Sequence, residues 1–112
     1  NPTHYAVALK YDPKKAETPF VIARGVDEMA LYIRKMAQAN ALEVIELPPL
    51  ARAIYYSTQV NQQIPAPLYT AVAHVLTYIL QLKAWKQGRR QGKPALASNI
   101  HIPEELFNRA RS

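Results

Sequence analysis

The chain has no cysteine among its 112 residues, which excludes disulfide bridges and thiolate metal sites and fits a reducing compartment without requiring one. No apolar run is long enough to cross a bilayer. The longest, Leu68 to Leu82, is interrupted by Thr70, His74, Thr77 and Gln81, whereas a spanning helix needs roughly 18 to 20 consecutive apolar residues. An initiating Met and a signal-peptide pattern are also missing, so the chain reads as a fragment or processed product of something longer, with room for a membrane part upstream. The three histidines, His4, His74 and His101, show no His-x-x-x-His spacing and no carboxylate cluster beside them, and no metal is expected. There is no Ser/His/Asp order, Gly-rich phosphate loop or carboxylate pair suited to chemistry on another molecule, and no cofactor is implied.

Acids are missing from one stretch in particular. Lys83, Lys86, Arg89, Arg90 and Lys93 follow one another with no Asp or Glu between them and supply most of the net charge of +6. The plain reading is a solvated helix end running into a flexible linker, with the helix dipole favouring the cations. Anionic lipid or nucleic acid are the functional alternatives, since phosphate attraction needs only Lys and Arg. No recognised nucleic-acid motif or interleaved aromatic pattern accompanies the cluster, so nucleic acid is not an expected partner.

What the chain does have is a chemically unusual start, Asn1-Pro2-Thr3-His4. A reactive Asn is ordinarily attacked by the backbone nitrogen of the next residue, but Pro2 has no N–H and blocks deamidation. The path left open is attack of the Asn1 carboxamide nitrogen on Asn1's own carbonyl, giving a succinimide and expelling Pro2 as a secondary amine. That reaction cuts the chain. On chemistry alone an Asn-Pro turn is the commoner meaning of such a dipeptide.

The length suits one domain with a real core. Residues 5–11 alternate as a strand, with Tyr5, Val7, Leu9 and Tyr11 on one face. Asp12-Pro13-Lys14-Lys15 breaks it, and Phe20-Val21-Ile22-Ala23 reads as a second, buried strand before Gly25 releases the chain into a helix over about 27–41. That helix places Met29, Ala30, Ile33, Met36 and Ala37 at core spacing, with Asp27 and Glu28 favourable in its first turn. Val44 to Leu47 is expected as a short strand that completes a parallel, right-handed β-α-β unit. Pro49 starts a short helix to Tyr56, Gln59 to Pro67 is a polar connector anchored by Ile64, and a long helix over about 68–87 turns Leu68, Ala71, Val72, Val75, Ile79 and Leu82 inward, with Gly88 as its stop. Gly, Pro, Ser, Asn and basic residues then dominate, giving residues 1–87 as an α/β domain and 88–112 as a tail. The tail is expected to be mobile as far as Asn99, with Ile100, Ile102, Leu106 and Phe107 available to dock and a helical turn starting at Pro103-Glu104-Glu105.

The tetrapeptide running through Tyr5 into Ala6-Val7-Ala8-Leu9, then Gly25, Pro49-Leu50-Ala51-Arg52 and Gln63-Ile64-Pro65, resembles the cytoplasmic domain of the FlhB/YscU/SpaS family of type III secretion-specificity switches. The likeness runs from Asn1 to about Trp85, and Tyr5 with the tail Ile102-Pro103-Glu104-Glu105-Leu106 is closer to the flagellar branch than to the virulence branch. It implies an α/β domain with a small mixed sheet surrounded by helices, its first strand supplied from upstream of Asn1, and a mobile basic C-terminal tail. It also implies self-cleavage at Asn1-Pro2, in a single intramolecular turnover, with the two pieces staying together.

On that resemblance Asn1 supplies nucleophile and attacked carbonyl, Pro2 the leaving amine, and Thr3 fixes the turn. His4 either moves protons, as a histidine can near neutral pH, or merely bonds to backbone at the strand's start. A shallow apolar patch for export substrates maps onto Pro19, Ala73 and Leu76, with the more polar Thr18 beside it; the alternative is that Ala73 and Leu76 simply pack their helix. The partners implied are the chain's own upstream fragment with the first strand and membrane helices, other export-gate subunits, the hook-length control protein, and rod, hook and filament substrates, all at the cytoplasmic face of the bacterial inner membrane. The competing readings are a virulence homologue and an interaction domain whose Asn-Pro bond is inert.

Overall fold

The computed structural model describes residues 2–15 and 17–103. Asn1, the turn expected from Pro103-Glu104-Glu105, and the docking of Leu106 and Phe107 lie wholly or partly outside them. Among the described residues the elements run β1 (Tyr5–Lys10), β2 (Phe20–Val26), α1 (Asp27–Ala39), α2 (Pro48–Ser57), a 3-10 turn (Ala66–Leu68) and α3 (Tyr69–Lys86).

β1 and β2 form an antiparallel hairpin. The register sets Tyr5 opposite Val26, Ala6 opposite Gly25, Val7 opposite Arg24 and Ala8 opposite Ala23, then slips between Ala8 and Leu9 so that Leu9 faces Val21 and Ile22 is the extra residue of a β-bulge. The alternation in β1 does what a period of two dictates. Val7 and Leu9 pack on the core built from Val21, Leu50, Ala53, Ile54, Ile64, Leu68, Ala71 and Val72. The opposite face carries Ala6, Ala8, Ala23 and Gly25, small residues that let α1 lie close to both strands.

Gly25 belongs to β2 rather than to a turn, and its role is close approach. A Cβ there would stand 2.3 Å from Met29 Cγ and 2.7 Å from its Cβ. Gly25→Ala is therefore expected to destabilise the domain by about 1–3 kcal/mol through overpacking, read from the urea midpoint at constant slope.

α1 meets the sheet with Ala30, which is buried, and with the half-buried Ile33 and Ala37. Met29 and Met36, expected on the same inward face, are 53% and 46% exposed. Among the described residues the sheet is two strands wide, and it covers a narrower stripe of the helix than the apolar residues span.

The strand expected at Val44 to Leu47 is absent: these residues are irregular and no parallel β-α-β unit forms. At its start, β2 already has a neighbour on its second edge. Val21 N–H donates to Gln62 O at 2.9 Å, Asn61 N–H to Val21 O at 2.7 Å and Ile64 N–H to Pro19 O at 3.0 Å. With that edge taken, side chains hold the segment instead, through Arg34 with Glu46, Lys86 with Glu43, and Leu47 against the core.

α2 begins on two prolines, which lose nothing at a position whose N–H has no intrahelical partner. α3 buries Ala71, Val72 and Leu82, half-buries Val75 and Ile79, and ends where Gly88 takes φ +75°. Beyond it the chain is irregular and returns against the domain. Lys93 Nζ lies 5.5 Å from the centre of the Trp85 ring, Pro94 is buried, and Ile100 and Ile102 pack against the core beside Leu47, Pro49 and Leu50. No described helix is long and apolar enough to cross a membrane.

Candidate functional site

Pro2, Thr3 and His4 lie at the open end of the hairpin, just before β1 and beside the junction of β2 with α1. Asp27 sits at that junction and holds them. Its Oδ1 accepts from Thr3 N–H at 2.9 Å, from His4 N–H at 3.0 Å and from the Thr3 hydroxyl at 3.1 Å, while Asp27 N–H donates to His4 O at 2.9 Å. The Thr3 hydroxyl has one proton, and giving it to Asp27 leaves Oγ1 as acceptor towards His4 Nδ1 at 3.0 Å. In that network His4 Nδ1 is the donor to Thr3 Oγ1.

Asp27 adopts φ +47°, in the left-handed region that costs most residues roughly 1–2 kcal/mol and that Asp and Asn tolerate best. The two backbone N–H groups, Thr3 first and then His4, with the Thr3 hydroxyl and the nearby His4 ring, hold its carboxyl below the usual carboxylate range. The sign of the linkage follows. A depressed folded value contributes stability above the unfolded value near 3.8, and that contribution shrinks as pH falls from there through the folded value. In denaturant titrations from pH 6 down to pH 2, the gap between wild type and Asp27→Asn should close over the acid end of the range. A gap unchanged down to pH 2 would contradict the assignment.

Tyr5 ties this end of the hairpin to α2. Its ring lies 5.5 Å from that of Tyr55 and 5.7 Å from that of Tyr56, and its hydroxyl is 3.0 Å from the Tyr56 hydroxyl. That hydrogen bond, followed by desolvation, pushes Tyr5 up to about 12. Arg24 stacks on Tyr55 at 4.1 Å and bonds the Tyr55 and Thr58 carbonyls at the end of α2; Arg52 lies 5.6 Å from the centre of the Tyr5 ring.

Pro19, Ala73 and Leu76 do come together. They line a groove of about 290 Å³ with Tyr11, Glu17, Thr18 and Ile64. Pro19 is buried, Leu76 half-buried and Ala73 exposed, so Ala73 is not occupied in packing its own helix against the core. The groove lies at the far end of β2 from the tetrapeptide: seven residues at about 3.3 Å each put roughly 20 Å between them. His74 and His101 are exposed and sit on α3 and in the returning tail, away from His4 in the chain's layout. Among the described residues no three His, Asp or Glu side chains gather as a metal site.

The sequence reading placed Asp27 only as a helix-dipole residue and passed over the tyrosine cluster. The available signal was the hairpin itself: two strands flanking a proline-broken turn pair antiparallel, and that brings residue 27 beside residue 4.

The sequence profile of the FlhB HrpN YscU SpaS family matches residues 1–79. The chain is 45% identical over 106 residues to the flagellar biosynthetic protein FlhB of Escherichia coli K12, covering 95% of this chain and 28% of that one. It is 43% identical over 83 residues to FlhB of Bacillus subtilis 168, covering 74% and 23%. It thus spans about a quarter of the length of these relatives. Among solved structures, the cytoplasmic domain of FlhB from Shewanella putrefaciens superposes with a TM-score of 0.84 at 48% identity, over 92% of this chain and 80% of that one. The PscU C-terminal domain superposes at 0.65 and 36% identity, over 69% and 98%. With the family profile matching residues 1–79 and relatives 45% identical over 95% of its length, the chain is a member of the FlhB HrpN YscU SpaS family.

Proposed function

We propose that this domain is the substrate-specificity switch of a flagellar type III export apparatus, and that it prepares itself by cutting the Asn1-Pro2 bond. The observation that carries the reading is Thr3 and His4 of the tetrapeptide, held by Asp27 at the open end of the hairpin in a chain of this family. In the reaction a bond forms between Asn1 Nδ2 and the Asn1 carbonyl carbon, and the bond from that carbon to the Pro2 nitrogen breaks. One carboxamide proton passes to the Pro2 nitrogen. Water then opens the succinimide. An amide is a weak nucleophile, so what the fold supplies is geometry, worth up to about 7–11 kcal/mol in well-oriented intramolecular reactions.

In this reading the piece upstream of Asn1 adds its strand to the sheet and anchors the domain at the cytoplasmic face of the inner membrane. Export substrates of the rod and hook class dock through a short apolar motif in the groove at Pro19, Ala73 and Leu76, beside the other export-gate subunits. The hook-length control protein then engages the domain and selectivity passes to filament proteins. Cleavage removes a covalent restraint at the hairpin's end and permits this change. The test is the mass of the protein expressed with its native upstream sequence: two pieces meeting at Asn1 and Pro2 support the reading, and an intact chain after prolonged incubation refutes the cutting step.

A further inference from the structure

We infer that Asp27 is the positioning residue for the cut, a carboxylate clamp that fixes the leaving side of the scissile bond through Thr3 and His4. The inference rests on the self-cleavage reading above. Three donors from two consecutive residues converge on one carboxylate oxygen at 2.9, 3.0 and 3.1 Å. Bonds to a charged acceptor are roughly twice as strong as neutral ones. With Asp27 N–H returning a bond to His4 O, residues 3 and 4 are held through both backbone and side chain at the point where β2 turns into α1.

The consequence for the reaction is directional. Pro2 is one residue from the clamp, so the chain on its C-terminal side is fixed while the carbonyl carbon of Asn1 rehybridises from trigonal to tetrahedral. The chain that follows Pro2 then need not move for attack to occur. Without the clamp the same motion spreads over Thr3 and His4, and the attacking geometry is visited less often. Asp27 also keeps a backbone conformation, φ +47°, that a residue chosen only for helix formation would avoid. A carboxylate in the first turn would satisfy the helix dipole from any ordinary conformation; this one is bent towards the tetrapeptide.

Ala would confuse loss of the carboxylate with backbone strain, so Gly and Asn are the informative replacements. Asp27→Gly removes the acceptor and tolerates positive φ. Asp27→Asn keeps an accepting oxygen and the conformation, without charge. The protein with its native upstream sequence is made as a pulse in cell-free translation, and the fraction cut is followed with time well below the melting temperature of each variant. Expected is a slowing of about 10- to 100-fold for Asp27→Gly and a smaller one, about 3- to 10-fold, for Asp27→Asn.

A cycle with Thr3→Val separates positioning from general loss of stability. Removing the Thr3 hydroxyl should slow cleavage in the wild-type background and leave Asp27→Gly almost unchanged, as for two partners in one contact. Additive slowing, Asp27→Gly cutting within twofold of wild type, or Asp27→Asn as slow as Asp27→Gly would each overturn the clamp. Should the wild type itself stay whole, the self-cleavage reading fails and the clamp's role in it falls too; a cutting wild type with an indifferent Asp27→Gly overturns the clamp alone.

Discussion

Asn1→Ala in the protein with its native upstream sequence should give a single intact chain by mass where the wild type gives two. In the proposed cut Asn1 supplies both the attacking nitrogen and the attacked carbonyl, and Ala would keep only the second. The Thr3 hydroxyl and the Asp27 carboxylate at this end of the hairpin are engaged with each other and with His4, so neither stands free to replace the Asn1 carboxamide. The effect should therefore be complete rather than graded. Pro2→Gly is the instructive companion: it restores an N–H at residue 2 and so reopens ordinary deamidation of Asn1, visible as a gain of about one mass unit without a cut. Cutting at an undiminished rate in Asn1→Ala would rule out the succinimide route.

Arg24→Ala should cost about 3 kcal/mol or more of folding stability. Arg24 faces the side of the hairpin opposite to α1, has its guanidinium carbon 4.1 Å from the centre of the Tyr55 ring, and donates to the Tyr55 and Thr58 carbonyls where α2 ends. Thr58 is 1% exposed, so its carbonyl lies at a residue with little access to water. Leaving such acceptors unmade costs about 1–3 kcal/mol, and a partly desolvated cation–π contact adds about 1–2 kcal/mol. Arg24→Lys should recover little, because an ammonium cannot stack as a plane and bond two carbonyls at once. Urea denaturation reads both variants; a loss under 1 kcal/mol for Arg24→Ala would mean that the hairpin and α2 are held together by their other contacts, the tyrosine cluster and the apolar core, and not by Arg24.

Most of the element boundaries were legible because they are written locally. The strand at 5–11 is Tyr5–Lys10, and the helices expected over 49–56 and 68–87 run Pro48–Ser57 and Tyr69–Lys86. Proline marks, alternation and helical spacing decide such matters within a few residues of chain. Val44 to Leu47 failed for the opposite reason: a strand is defined by a neighbour, and whether an edge is vacant there depends on where residues 61–64 run. The same holds at the site. Pro19, Ala73 and Leu76 were placed through resemblance and the structure gathers them in one groove, but Asp27 looked like a helix-start acid until the register put it beside Thr3 and His4.

The β-bulge between Ala8 and Leu9 gives the hairpin a mechanical character. From Tyr5 to Ala8 the two strands are paired residue for residue, and beyond Leu9 they are paired again, with Ile22 as slack between the two runs. The first run is gripped at Asp27 and braced by the tyrosines, and the second is tied to the groove through Ile64 N–H and Pro19 O. Ile22 is thus the irregular step in the ladder between Asp27 and Pro19, where the strand bends and its twist increases. The bulge therefore sets the angle between the end of the hairpin that Asp27 holds and the end that borders the groove, and deleting Ile22 would pair the two runs as one regular ladder with a different twist.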